Sequence, residues 1–326
     1  MQSSYRLICG DAKKSLEKIE SNTVQTVITS PPYYNMRDYG FSEQIGLESS
    51  PEAYIQKLVE VFSEVKRTLR DDGTLWINIG DSYCDKSSAK LKKKDLIGIP
   101  WMLAFALRAD GWYLRSDVIW SKPNPLPGGS SDKPISSHEY MFLLSKSEDY
   151  YYDAEATKET AVETNEDGSF KKRLKRDVWI VPVASFKGAH FAVFPTKLIE
   201  PCIAACSSNY GCCDKCKKPY KRLVEKNRYA TRPGKKNKID KKGFANRDSG
   251  RHLTETKTLG WEKNCSCDST GLDKCTVMDI FCGSGTTGVV AMQNNAKFIG
   301  IDGQKEYIEI ARTRLEEEQA KTIEGM

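Results

Sequence analysis

Short β-branched apolar runs alternate along this chain with stretches whose apolar residues recur at helical spacing. Residues 5–9 predict a strand ending at Gly10-Asp11, and Leu16 and Ile19 give 13–19 a helical face. Residues 24–28 predict a second strand, which Pro31 and Pro32 stop. Pro51 opens a helix with Tyr54, Leu58, Val61, Phe62 and Val65 along one face. A turn at Asp71-Asp72-Gly73 introduces a strand over 74–79, and 100–107 reads as a strongly apolar helix. Residues 112–120 and 139–144 predict antiparallel mates, 178–183 a further short strand and 196–206 a helix. The pattern breaks over 207–274, which is polar, and resumes with a strand at 275–281. A helix at 286–293, a strand at 297–301 and a final helix at 305–317 complete it. There is no tandem repeat. Strand–helix alternation with glycine-rich strand ends predicts an α/β doubly wound sheet rather than a barrel.

Charge changes the picture of the polar stretch. The 326 residues carry a net charge of +6, yet residues 214–263 hold 17 Lys or Arg against 6 Asp or Glu. That surplus of 11 leaves the rest of the chain at −5, so the basicity is concentrated in one region suited to phosphate, or to a solvated surface insert. No window approaches the length of apolar run that spans a membrane, and the first residues lack a secretory pattern, so a cytoplasmic, DNA-associated protein is expected. Seven of the 11 cysteines fall between Cys202 and Cys267, in close pairs within a lysine-rich chain. Metal binding under reducing conditions accounts for that pattern better than disulfides do.

Two segments carry candidate chemistry. Ser30-Pro31-Pro32-Tyr33 offers a hydroxyl, a rigid carbonyl and an aromatic plate, which together suit a flat heterocycle held by its exocyclic amine. Asp279 and the loop Phe281-Cys282-Gly283-Ser284-Gly285-Thr286-Thr287 offer an acidic strand end and glycines that admit a ligand close to the backbone. A triphosphate loop is excluded because no lysine follows Gly285. Gly283, Gly285 and Gly288 match the spacing of a dinucleotide-type loop but leave its ligand open. Asp302 ends the next strand, where a carboxylate can accept from ribose hydroxyls. The pair of segments points to transfer of a small group onto a nucleobase.

These segments, with His190-Phe191-Ala192-Val193-Phe194-Pro195, resemble the motifs of the amino-group (N4-cytosine or N6-adenine) DNA methyltransferases. The resemblance covers nearly the whole chain outside the insert, and the motif order is similar to the circularly permuted beta arrangement. It implies a Rossmann-like methyltransferase fold with a seven-stranded mixed sheet, one strand antiparallel, flanked by helices. In that order the 277 strand is first, 297 second, 5–11 third, 24–28 fourth and 74–79 fifth, followed by the hairpin. It also implies S-adenosyl-L-methionine as methyl donor. Asp279, Phe281, Gly283, Ser284, Gly285, Thr286 and Thr287 would then cradle its amino-acid portion. Asp302 would bind its ribose and Asp11 its adenine, with Phe191 and Pro195 packing nearby. Ser30, Pro31, Pro32 and Tyr33 would form the catalytic motif. Residues 1–206 and 275–326 are thereby two parts of one methyltransferase domain, and 207–274 is a basic insert.

Cys213, Cys216, Cys265 and Cys267 are the expected zinc ligands of that insert, with Cys212 or Cys275 as substitutes and free or disulfide-bonded thiols as alternatives. Zinc would fix a basic surface beside the DNA approach, a candidate target-recognition element. Within that resemblance, serine rather than Asp or Asn at position 30 implies cytosine N4 in double-stranded DNA as the target. Adenine N6, RNA, and a non-catalytic zinc-containing DNA-binding protein are the competing readings. A companion restriction endonuclease is a further implied partner.

Overall fold

Tyr5–Cys9 (β1) leads through a short helix, Ala12–Leu16 (α1), into Val24–Thr29 (β2), whose six residues are all buried. The computed structural model describes residues 4–38, 40, 44–87, 90–125, 131–164, 170–183, 194–230 and 252–324. Pro51–Thr68 (α2) starts with the Ser50 hydroxyl accepting from the Ala53 amide at 3.2 Å, a side-chain cap backed by proline in the first turn. Leu69–Ile79 (β3), Ile99–Ala109 (α3), Tyr113–Ser121 (β4) and His138–Ser145 (β5) come next in the chain. Glu159–Thr164 (β6) and Phe170–Arg173 (β7) form a small hairpin before Val178–Ile180 (β8) and Thr196–Cys206 (α4).

The insert contributes Cys212–Cys213 (β9), the long antiparallel pair Lys221–Ala230 (β10) and His252–Glu262 (β11), and Leu272–Asp273 (β12). Thr276–Asp279 (β13), Thr286–Gln293 (α5), Lys297–Asp302 (β14) and Lys305–Glu324 (α6) end the chain.

The main sheet has the order β1-β14-β13-β2-β3-β5-β4-β8, with β5 antiparallel to both neighbours and the remaining pairs parallel. Seven of these strands, one of them antiparallel, make up the mixed sheet that the resemblance implied. The eighth, β8, adds to the outer edge of β4 through Ile119↔Val178 and Ser121↔Ile180, so the expected count is corrected by one. The order reverses between β13 and β2, and the crevice outside the carboxyl ends of such a pair is where open α/β sheets bind ligands.

Strand alternation divides the core into two layers. Val27, Leu75, Ile77 and Met278 join Leu58, Phe62 and Leu103 from α2 and α3 on one face. Ile28, Trp76, Val277 and Phe298 join Ile199, Ile203, Val290 and Leu315 from α4, α5 and α6 on the other. Both faces of the sheet are therefore covered, and the site is confined to the strand ends. No helix among the described residues is long and apolar enough to cross a membrane.

Candidate active site and thiolate cluster

Ser30 comes directly after the last residue of β2, and the two prolines behind it turn the chain away from the sheet. The Tyr54 hydroxyl of α2 donates to the Pro32 carbonyl at 2.9 Å, fixing the exit path of the turn. Tyr33 is held from the opposite side. Its phenol donates to Glu139 Oε2 at 2.7 Å, and Asn78 Nδ2 donates to the same oxygen at 3.0 Å. Lys122 forms a short ion pair with the other oxygen of Glu139, between side chains that are both largely covered. Burial, and then the Glu139 charge, push the Tyr33 phenol well above its usual range, so it remains a neutral donor. Tyrosine, glutamate and lysine thus form one chain of contacts from the turn after β2 to the β4–β5 hairpin.

The glycine-rich loop lies next to this motif because β13 and β2 are parallel neighbours, in register at Val277↔Thr26 and Met278↔Val27. Asp279 joins them directly. Its Oδ1 accepts from the Thr29 hydroxyl at 2.7 Å and the Phe281 amide at 3.1 Å, and its Oδ2 accepts from the Thr287 hydroxyl at 2.6 Å. Asp279 is 1% exposed, and burial raises its pKa to about 6 against the donors' pull. The sequence reading set this carboxylate against a ligand. In the structure it is closed off and ties the residue before Ser30 to the loop, because threonines from both sides supply donors first.

Gly283 has φ +47° with nothing within 4 Å of where a Cβ would stand, so the loop presents open backbone there. Asp302 Oδ2 accepts from the Gly283 amide at 2.8 Å and its Oδ1 from the Gln304 amide at 2.9 Å, while burial raises its pKa. A Cβ on Gly288 would stand 2.6 Å from the Phe298 ring, so the third glycine serves helix–strand packing. Arg314 of α6 donates to the Ser284 carbonyl at 2.7 Å, the Ser284 hydroxyl at 2.8 Å and the Thr286 hydroxyl at 3.1 Å. Asp11 caps α1 by accepting from the Lys14 amide at 2.9 Å, at the end of β1 beside β14. Pro195 is buried at the start of α4, whereas Phe191 lies outside the described residues.

The pattern missed Glu139, Lys122, Asn78 and Arg314. Glu139 and Asn78 did carry a signal, being polar residues at the ends of otherwise apolar strands. Arg314 carried none, since it is one of many charges in α6.

Cys213, Cys216, Cys265 and Cys267 converge, their sulfurs all within 4.8 Å of one another. Tetrahedral zinc with Zn–S near 2.3 Å needs sulfurs roughly 3.8 Å apart, so this donor set suits that ion. Burial pushes the Cys213 thiol up, but the Cys216 and Lys215 amides and the neighbouring thiols bring it down to about 7. Cys212 and Cys275 are buried outside this group of four.

The cluster does not flank Ser30. The Lys217 carbonyl accepts from Gln25 Nε2 at 2.7 Å, and the Cys216 carbonyl accepts from Arg70. Gln25 and Arg70 lie at the starts of β2 and β3, so the thiols sit at the opposite end of the sheet from the catalytic motif.

A DNA methylase family model for N6 and N4 methylases matches residues 24–213 and 269–313, omitting most of the insert. The chain is 40% identical to the type II methyltransferase M.Cfr9I of Citrobacter freundii, over 96% of this chain and 88% of that protein. It is 38% identical to M.SmaI of Serratia marcescens, over 96% and 91% respectively. Among solved structures it is similar to the cytosine-N4-specific PvuII DNA methyltransferase, with a TM-score of 0.60 and 18% identity over 96% of this chain and 86% of that one. A putative DNA modification methylase of Thermus thermophilus, solved with S-adenosyl-L-methionine, superposes with a TM-score of 0.55 and 19% identity, over 96% and 94%.

Proposed function

Since the chain belongs to the DNA methylase family of N4/N6 amino-group methyltransferases, we propose that it methylates the exocyclic N4 of cytosine in duplex DNA. The observation that carries this reading is the contact of the two motifs through Thr29 and Asp279, which sets Ser30 beside the glycine-rich loop. S-adenosyl-L-methionine, when bound, supplies an electrophilic methyl group. Open backbone at Gly283 and the two carboxylates Asp302 and Asp11 are the features that suit its binding, with Ser284, Gly285, Thr286 and Thr287 shaping the loop between them.

A base amine is a weak nucleophile because its lone pair is conjugated into the ring. Acceptors for both amine hydrogens favour a pyramidal nitrogen and aim the lone pair. The lone pairs of the Ser30 hydroxyl oxygen supply one acceptor. The Pro31 carbonyl is the second acceptor, held at fixed spacing by the proline ring. Tyr33 stacks on the extruded base and offsets part of the few kcal/mol that extrusion costs. Its ring is preset because the phenol is tied to Glu139. None of these steps uses a cysteine nucleophile.

Serine at position 30 favours cytosine over adenine in this reading, in keeping with the named specificity of the PvuII enzyme. The surplus of lysine and arginine at 214–263 supplies phosphate contacts, and a restriction endonuclease of matching specificity is the implied companion. The four converging thiols hold one zinc ion. Incubating the protein with duplex DNA and methyl-labelled cofactor, then digesting to nucleosides, tests the target. Label in N4-methylcytosine supports the proposal, and label in N6-methyladenine replaces it.

A further inference from the structure

The strands that carry the two halves of the site, β2 and β13, are joined by little of the sheet itself. They share two register pairs, against five between β1 and β14 and six between β3 and β5. Side chains tie them at both ends. At the carboxyl ends the tie is Thr29 to Asp279. At the amino ends it is Gln25, buried at 3% exposure, whose Oε1 accepts from the Thr276 amide at 2.5 Å. The same side chain donates through Nε2 to the Lys217 carbonyl at 2.7 Å, one residue beyond Cys216.

The cysteine knuckle reaches two further strand starts. Arg70, paired with Asp72 at 2.8 Å, holds the Cys216 carbonyl at the start of β3. Asp273 accepts from Lys217 at 2.9 Å and from Lys297, the first residue of β14, at 2.7 Å. Between Cys216 and Cys265 lie 48 residues, and β13 begins only nine positions after Cys267. Without a closed knuckle, the closure of this stretch rests on the β10–β11 hairpin and on the two-residue β9–β12 pair just before β13, and loop closure costs entropy.

We propose that Cys213, Cys216, Cys265 and Cys267 with one zinc ion act as a clasp, holding β13 against β2 through Gln25 so that the cofactor loop stands in register with Ser30. The inference rests on the zinc reading above and gives that ion a place in cofactor binding rather than in reading DNA. The ion acts across the length of β2, about 16 Å of strand from Gln25 to Ser30. It touches neither substrate nor cofactor, so Gln25 is a positioning residue.

The test uses the full chain prepared with zinc. Elemental analysis gives metal per chain, calorimetry gives S-adenosyl-L-methionine affinity, and far-UV circular dichroism reports folding. One zinc per chain is expected, and stripping it with a chelator weakens cofactor affinity by about fivefold, restored on adding zinc back. Gln25→Met keeps its zinc and its dichroism, binds cofactor about fivefold more weakly, and then responds little to chelation. A wild-type chain that binds cofactor but holds no zinc overturns the metal reading and the clasp with it. Metal-free, folded protein with unchanged cofactor affinity overturns the clasp alone. If chelation unfolds the chain, Gln25→Met decides, and unchanged cofactor affinity in that variant overturns the clasp.

Discussion

Asp279 shows what a buried carboxylate costs when it is used as a tie. Its folded-state pKa of about 6 lies above the ordinary 3.8, so the folded protein holds that proton more tightly than the unfolded chain does. The stabilisation is fully present below about pH 4 and is lost as pH rises through 6, a swing on the order of 3 kcal/mol. Denaturant titrations between pH 4 and 8 should show this slope in the wild type and a flatter one in Asp279→Asn. Ser30 and Asp302 separate two other roles. Ser30→Ala should lower turnover by about 100-fold while cofactor affinity stays within about twofold, since an aligned acceptor matters most in the transition state. Asp302→Ala should weaken cofactor binding by about 10–100-fold, the loss of charge-assisted hydrogen bonds. Single-turnover kinetics beside calorimetry checks both. Glu139→Gln removes the charge opposite Lys122 and weakens the anchor of Tyr33. Turnover should fall by about tenfold, and fluorescence of a 2-aminopurine at the target should show a less ordered flipped base.

At the scale of elements, much of the fold was legible because the strands are short, apolar and rich in β-branched residues. The 5–9 strand and the 196–206 and 286–293 helices fall where the pattern set them. The expected turn at Asp71-Asp72-Gly73 is not a break between elements. β3 starts at Leu69, and the register slips between Val24↔Leu69 and Thr26↔Thr74, so the turn signal marks a bulge inside one strand. The convergence of the four thiols was legible in their spacing, but their location was not. That location depends on Gln25 and Arg70, polar residues whose partners lie 192 and 146 positions away. The support given by α6 was hidden for the same reason, its basic residues looking alike until packing buries one. Arg314→Met should free the Ser284 carbonyl and hydroxyl, lowering stability by about 1–3 kcal/mol and cofactor affinity in parallel. Thermal melts with and without cofactor check it.

For the whole molecule, the positive charge is concentrated in one stretch of the sequence. Residues 231–251 hold 8 Lys or Arg against 2 Asp or Glu, and lie outside the described residues. Deleting them should weaken DNA binding and reduce the slope of log affinity against log salt, with cofactor affinity unchanged. Filter binding across a salt series measures this, and an unaltered slope would assign the phosphate contacts to the catalytic domain.

The separation of β2 from β13 also sets a schedule. During synthesis β2 is complete long before its neighbour, whose first residue comes 252 positions after Val24. At about 5–20 residues per second the ribosome needs about 13–50 s to cover that distance. Through that interval a strand that will be fully buried in the centre of the sheet has one hydrogen-bonding edge without its native mate. The nascent chain is therefore most open to aggregation in the window that closes when residue 279 emerges.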